Sequence, residues 1–541
     1  MKKNLPQEAV FTFWLMMIIG FFSNCAYALY VRCNIKLILM ILILTACIAA
    51  IIAAPVVCLK KKYFIYPYIG TATMMVLAFL VSDYFILINF SKVINSDIVD
   101  ILFSSNIEEM QEFVITYLTS SKVLQYVVAL CIFVTCSVYL AKIMSNKRWV
   151  NIIGLMLATM GLCLWSYAAY GFVVYRNGQS IPQLTTLSRS LYSAYVTSAR
   201  LKQIDKIADI CQDYIANNHQ QSDNNGIIIC LVIGESHSVF HTNAYGYEKI
   251  TFPHLLEISE SDDMGQLVWY TDMITIADHT HTAMESIFSM SRHENFDSTI
   301  LLPACFKALG YTTALYDNQY LVNKSVSFLN NRRLSDLLFD FRNGNTMRDE
   351  DLPMPTTGGG NKLLIYHLMG SHYTYSSRYP HEKFTVFTPS DYPLEESEDH
   401  RSIMAHYDNS LVYTDYILYS IIKQLKDAMS VVVYVSDHGE EVYEQGDFIG
   451  HGNAAFQPKV DYQIRVPMFI WLSNDYIATF PHIANNVTSH VGTACISDDI
   501  GHLLINLANE KNDLFDKTRS VINDEYVISQ RIVLNSINFD N

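Results

Sequence analysis

Val431-Val432-Val433-Tyr434-Val435-Ser436-Asp437-His438-Gly439-Glu440 runs from an unbroken apolar stretch straight into a carboxylate and an imidazole. An apolar run of strand length predicts a strand buried on both faces, the kind found in α/β domains. Asp437 and His438 then fall where the strand ends and its loop begins. In open α/β sheets ligands bind outside that carboxyl edge. An oxygen and a nitrogen donor side by side suit a divalent cation, zinc above all. An Asp-His-Gly loop is also a common turn with a satisfied histidine, so the pair takes its meaning from the rest of the chain.

The pattern recurs on both sides of this stretch. Apolar runs of strand length lie at 227–233, 312–316, 363–368, 431–435 and 466–472, with helix-like segments between them, as at 282–290 and 410–425. Such alternation predicts a mostly parallel sheet with helices on both faces. Pro355 to Gly360 and the acidic stretch 390–400 are expected as surface loops. The first strand runs into Gly234-Glu235-Ser236-His237 and the third ends in His367-Leu368-Met369-Gly370-Ser371-His372. Ile449-Gly450-His451-Gly452 adds a further imidazole. Each of these alone has an ordinary structural reading. Convergence of Glu235 and Asp437 with His372, His438 and His451 at one sheet edge instead predicts a site that binds a metal and an anion.

His279-Thr280-His281-Thr282-Ala283-Met284-Glu285 opens a predicted helix, and Thr282 with Glu285 forms the capping-box pattern T-x-x-E. One reading makes Thr282 a helix cap. The other makes it a nucleophile, because phosphate settles at helix N-termini and a metal-bound hydroxyl loses its proton readily. The residues leave both open. A formylglycine sulfatase is set aside, since Thr282 to Ser286 offers neither C-x-P-x-R nor S-x-P-x-R.

The first 175 residues are of another kind. Apolar runs at about 10–31, 36–59, 64–90, 124–144 and 150–174 each reach the length that crosses a bilayer core. The expected organisation is a membrane domain at 1–175 with an outer loop at 91–123, bridging helices and linker at 176–225, and an outer α/β domain at 226–541. Lys60-Lys61-Lys62 and Lys147-Arg148 mark the cytoplasmic loops by the positive-inside rule, which leaves the outer domain on the far side. Residues 1–175 carry 12 Lys and Arg against 7 Asp and Glu; the remainder carries 25 against 45. So acidic an outer domain excludes nucleic acid as a partner by bulk attraction. An anionic substrate there needs a local positive charge, which a metal supplies. Only Cys211, Cys230, Cys305 and Cys495 lie outside the first 175 residues, too few for a disulfide framework.

Taken together, V232-I-G-E-S236 with N243-A-Y-G-Y247 and F252-P253, H281-T-A283, Y316-D-N-Q319, G370-S-H372 with R378-Y-P380, Y407-D-N-S410 with Y413-T-D-Y416, S436-D-H-G-E440 with H451-G452, and V466-P-M-F-I-W471 resemble the bacterial phosphoethanolamine transferases of the alkaline phosphatase superfamily. That family includes the lipid A enzymes behind polymyxin resistance. The resemblance implies five membrane spans followed by a sulfatase-like domain. It implies a zinc site of Glu235, Thr282, Asp437 and His438, Thr282 as nucleophile, and His372 and His451 binding substrate phosphate or a second zinc. It also implies an inner-membrane enzyme with its catalytic domain in the periplasm. Such an enzyme takes phosphoethanolamine from phosphatidylethanolamine among the membrane lipids and passes it to an envelope glycolipid or glycan. The lipid A branch carries several outer-domain disulfides that four cysteines cannot supply, so lipid A, a core sugar of lipopolysaccharide and a periplasmic glucan all stand as acceptors. The rival readings are a lipoteichoic-acid-synthase-like glycerol-phosphate transferase, a plain phosphodiesterase, and a catalytically silent membrane scaffold on the same fold.

Overall fold

The computed structural model describes residues 6–30, 35–59, 61–90, 93–94, 98, 121–175, 185–220, 222, 224, 226–292, 296, 298–319, 328–344, 346–452, 454, 458–534 and 536–540. The chain divides into two compact units, Met1–Arg200 and Leu201–Asn541.

In the first unit the apolar runs become helices α1 (Gln7–Tyr30), α2 (Ile35–Cys58), α3 (Lys62–Phe90), α4 (Ser121–Ser145) and α5 (Arg148–Tyr175). All five are long and apolar enough to cross a membrane. The outer loop expected at 91–123 lies almost wholly outside the described residues. Helix α6 (Thr186–Asn217) begins in this unit and contains the division point. Its first turn is tied to α3 by the buried pair Arg189–Asp83. Thr186 donates its hydroxyl to the same carboxylate at 2.6 Å, and its N–H to Asn24 of α1 at 2.8 Å. Buried polar groups among apolar helices persist when they satisfy one another.

The second unit is built on a seven-stranded sheet. Its strands are β1 (Ile228–Gly234), β2 (Gln266–Tyr270), β3 (Thr312–Asp317), β4 (Phe341–Gly344), β5 (Lys362–His367), β6 (Ser430–Ser436) and β7 (Met468–Leu472). The spatial order is β2-β7-β6-β1-β5-β3-β4. Strand β7 is antiparallel to both neighbours, and the pairs among β6, β1, β5, β3 and β4 are parallel. The expected, mostly parallel sheet is present. The two strands not foreseen, β2 and β4, are its edges: β2 is only partly buried, and β4 is four residues with Arg342, Asn343 and Gly344.

Strand alternation sorts the core into two layers. Ile229, Leu231, Ile233, Val431, Val433 and Val435 face one side, with Met284, Ile287 and Phe288 of helix α7 (Thr280–Phe288). Ile228, Cys230, Val232, Val432 and Tyr434 face the other, with Leu411, Leu418 and Ile422 of helix α8 (Glu398–Leu425). Central strands buried on both faces read as unbroken apolar runs for this reason. Helix α8 starts well before the expected 410 because Ser397 caps it, accepting from the His400 N–H at 3.1 Å. The end of the expected acidic loop 390–400 is therefore helical. Among the described residues ten cysteines are free, and Cys211, Cys230, Cys305 and Cys495 are buried.

One buried polar knot braces the loops above the sheet. His241 Nδ1 is 2.6 Å from Asp408 Oδ1, and its Nε2 is 2.8 Å from Glu444 Oε1. Tyr247 and Tyr392 donate hydroxyls to Asp408 Oδ2 at 2.7 and 2.5 Å. Burial opposes charge on His241, but the two carboxylates outweigh it and push the imidazole up to about 10. With the unfolded value near 6.5, this stabilisation is complete below about pH 6.5 and is lost as pH rises through about 10. Thermal unfolding from pH 6.5 to 10 should therefore show wild type losing on the order of 3 kcal/mol relative to His241→Gln. Parallel profiles for the two proteins would refute the charged knot.

Candidate active site

The parallel register brings the ends of four strands into one line. Gly234 of β1 pairs with Ser436 of β6, Ile233 with both His367 of β5 and Val435, and His367 with Asp317 of β3. Glu235 and Asp437, one residue beyond their strands, emerge side by side, with the Asp437 N–H donating to the Gly234 carbonyl at 3.0 Å. Two glycines allow the loops to close in. A Cβ on Gly439 would stand 2.4 Å from the Tyr462 carbonyl oxygen. Gly370 has φ +47 and would set a Cβ 3.0 Å from the Glu235 backbone, so only glycine fits the approach.

At the centre, His438 Nε2 lies 3.4 Å from Glu235 Oε1 and 3.3 Å from Asp437 Oδ2, with all three side chains buried. His438 Nδ1 faces the Gly439 carbonyl oxygen at 2.9 Å. A proton on Nδ1 leaves Nε2 as the ligand atom, the usual way a protein orients an imidazole toward a metal. Asp437 Oδ1 accepts from the N–H groups of Ser236 at 3.2 Å and His438 at 2.7 Å. Its Oδ2 is buried with no hydrogen-bond partner. Such an orphaned oxygen is costly unless something else satisfies it. A set of two carboxylates and an imidazole converging on that oxygen fits a divalent ion such as zinc.

The electrostatics agree. Burial raises Asp437 and the neighbouring Glu235 raises it further. Burial also opposes charge on Glu235, but His438 outweighs it and holds that carboxyl well below the usual range. Burial disfavours a charged His438, yet Asp437 and Glu235 push it up to about 10. Protons thus balance charge in this cluster, and a divalent ion can take their place.

Two hydroxyls meet the cluster: Ser236 donates to Glu235 Oε1 at 2.8 Å, and Thr280 approaches from helix α7. Thr280 Oγ1 is 3.3 Å from Glu235 Oε2 and 3.3 Å from His438 Nε2. Helix α7 begins at Thr280, two residues earlier than expected. Thr282 is its third residue and neither caps the helix nor touches the carboxylates. Its hydroxyl is 2.7 Å from His279 Nε2, whose Nδ1 is 3.0 Å from Asp278 Oδ1. The expected box partner Glu285 pairs instead with His281 at 3.4 Å. Glu235, Asp437 and His438 stand together at the sheet edge, and the Thr282 hydroxyl is engaged by His279 rather than by them.

His451 stands beside the cluster, its ring centroid 4.0 Å from that of His438. Glu440 Oε2 holds its Nδ1 at 2.6 Å, and Tyr375 donates its hydroxyl to the other Glu440 oxygen. Ligand atoms of Glu235, His438 and His451 lie within 4.8 Å of one another. His372 is half-buried, its Nδ1 is enclosed with no hydrogen-bond partner, and desolvation brings the ring down to about 4, so it is neutral near pH 7. Three supports were not foreseen: Glu440, His367, and Gln319, which donates to Glu235 Oε2 and to the Leu368 carbonyl at 2.7 Å each. All three fall in stretches quoted above, S436-D-H-G-E440, the end of the third strand and Y316-D-N-Q319, without a role attached to them.

A family description, Sulfatase, matches residues 228–509. The phosphoethanolamine transferase EptC of Escherichia coli strain K12 is 27% identical over 346 residues, which cover 59% of this chain and 57% of that protein. The chain thus spans little more than half the length of this curated relative. The zinc complex of the C-terminal periplasmic domain of EptC from Escherichia coli superposes with a TM-score of 0.51 at 25% identity, covering 59% of this chain and 93% of that one. The integral membrane lipooligosaccharide phosphoethanolamine transferase A from Neisseria meningitidis shares the fold over 95% of this chain and 97% of its own, with a TM-score of 0.59 at 16% identity.

Proposed function

Since the chain belongs to the sulfatase family, we propose that it is a membrane-anchored phosphoethanolamine transferase that takes the group from phosphatidylethanolamine and passes it to an envelope glycolipid or glycan. The observation that carries this reading is the Thr280 hydroxyl, 3.3 Å from both Glu235 and His438 at the start of α7. A nucleophile beside a buried donor set at a helix N-terminus suits attack on a phosphodiester better than on a neutral bond.

Glu235, Asp437 and His438 would hold a zinc ion, which when bound neutralises charge on the phosphate and acidifies the hydroxyl beside it. Thr280 attacks phosphorus; the new bond joins its Oγ1 to phosphorus, and the bond to the diacylglycerol oxygen breaks. Diacylglycerol leaves with a proton. The first-turn N–H groups of α7 and the imidazoles of His372 and His451 bind the nonbridging oxygens. An acceptor hydroxyl or phosphate then displaces Thr280, which regains its proton. Gln319 and Glu440 keep Glu235 and His451 in place throughout. The five apolar helices would hold the domain beside its lipid donor, raising its effective concentration. In this reading the protein sits in the bacterial inner membrane with the second unit in the periplasm.

Intact mass of the detergent-solubilised, zinc-loaded chain after exposure to phosphatidylethanolamine tests the proposal. A phosphoethanolamine adduct with release of diacylglycerol is expected. A glycerol-phosphate adduct from phosphatidylglycerol alone would overturn the headgroup assignment. Absence of both adduct and diacylglycerol would overturn the activity.

A further inference from the structure

One buried imidazole has no part in the reaction above. His367 ends β5 at the carboxyl edge of the sheet, in register with Asp317 on one side and Ile233 on the other, and is fully buried. Its Nδ1 is 3.1 Å from Asp317 Oδ1. Asp317 is held in turn, since the same oxygen accepts from the Gln319 N–H at 2.9 Å. This is the carboxylate–imidazole arrangement that orients metal-binding histidines. Ligand atoms of His367, Glu235 and Asp437 lie within 4.8 Å of one another, and all three residues are buried. Around a tetrahedral ion with bonds of about 2.1 Å, donors stand about 3.4 Å apart. A contraction of at most about 1.4 Å therefore closes this set.

Burying an imidazole and three carboxylates at one sheet edge is costly, and an apolar residue at 367 would serve the core better. Asp437, whose Oδ2 is buried without a hydrogen-bond partner, belongs to the same group. From this geometry we propose that His367 is a ligand of the ion held by Glu235 and Asp437, with Asp317 as its positioning residue. The proposal rests on the metal reading above and adds a ligand to it. It also assigns the Asp-Asn-Gln run after β3 a purpose: Asp317 orients His367 and Gln319 fixes Glu235. Asn318 donates to Asp349 at 2.7 Å, and Asp349 accepts from the N–H groups of Met369 and Gly370 at 2.9 and 3.0 Å, which fixes the turn before His372.

The test uses the full chain in detergent, wild type beside His367→Gln and Asp317→Asn, with folding checked by circular dichroism in chelator. Zinc affinity is measured by competition with a chromophoric chelator, and the imidazole count by zinc K-edge absorption at one equivalent. His367→Gln should bind zinc at least ten-fold more weakly and lose one imidazole from the shell. Asp317→Asn should weaken binding about ten-fold and keep the count. Unchanged affinity, or an unchanged imidazole count, in folded His367→Gln overturns the proposal. Should that variant not fold, unchanged affinity in Asp317→Asn does the same. The adduct assay separates this from the proposed function. Zinc bound through His367 without any adduct sinks the transferase reading alone, and adduct formation with unaltered zinc binding in His367→Gln sinks this one alone.

Discussion

Thr280→Ala is expected to abolish the phosphoethanolamine adduct and to lower turnover by roughly 10⁴-fold or more, the scale on which removing a nucleophile acts. Thr282→Ala is expected to retain the adduct. The two hydroxyls lie within one helical turn, yet their surroundings differ. Thr280 Oγ1 faces Glu235 and His438 at 3.3 Å each, whereas Thr282 Oγ1 is engaged by His279 at 2.7 Å. A hydroxyl is activated by a metal site or by an adjacent base; Thr280 faces the proposed metal ligands and Thr282 the His279–Asp278 pair, and the proposed reaction uses the first arrangement. Thr280→Ser should keep measurable activity because the oxygen remains. Mass mapping of the adduct in each variant decides the matter. An adduct on Thr282 in wild type, surviving in Thr280→Ala, would restore the assignment that the resemblance implies.

The second large effect concerns Asp437 and has opposite signs with and without metal. In zinc, Asp437→Asn should bind the ion at least about 100-fold more weakly, since a ligand matters more than the outer-shell partners that cost 10–100-fold. Transferase activity should fall with it. In chelator the same variant should be more stable than wild type. Burial and Glu235 raise the Asp437 carboxyl, so its ionised form destabilises the folded metal-free protein once pH exceeds the unfolded value near 3.9, and the asparagine removes that cost. Adding zinc should then raise the wild-type unfolding midpoint steeply, by the usual mass-action term, and move the variant little. Thermal unfolding of both proteins at pH 8, in chelator and in zinc, reads the crossing. A variant less stable than wild type in both conditions would mean that Asp437 is structural.

Much of this site is legible in the chain because parallel sheets make it so. Unbroken apolar runs mark strands buried on two faces, and the residue after each run must lie at the carboxyl edge. Glu235, Asp437 and His438 were therefore identifiable from position and chemistry alone, as were the five apolar helices from length and hydropathy. The edge strands carry a weaker signal: Phe341–Gly344 has a single apolar residue, and Gln266–Tyr270 is only partly buried and five residues long.

What sequence could not decide was rotation and reach. A helix that starts at Thr280 rather than Thr282 exchanges which hydroxyl faces the carboxylates, since two residues along an α-helix turn a side chain about 200° around its axis. A two-residue shift in the helix start therefore changes which threonine is proposed as the nucleophile. The partners of His367 and Gln319 were equally out of view, because strand register, not spacing along the chain, brings Asp317 beside His367 and Gln319 onto Glu235. The chain by itself thus determined the layers, the edge where the candidate site lies and the kinds of donor group present there. Tertiary structure alone decided which threonine, which histidine and which supporting amide meet at that edge, because those contacts join residues from separate strands and depend on ångström-scale registration.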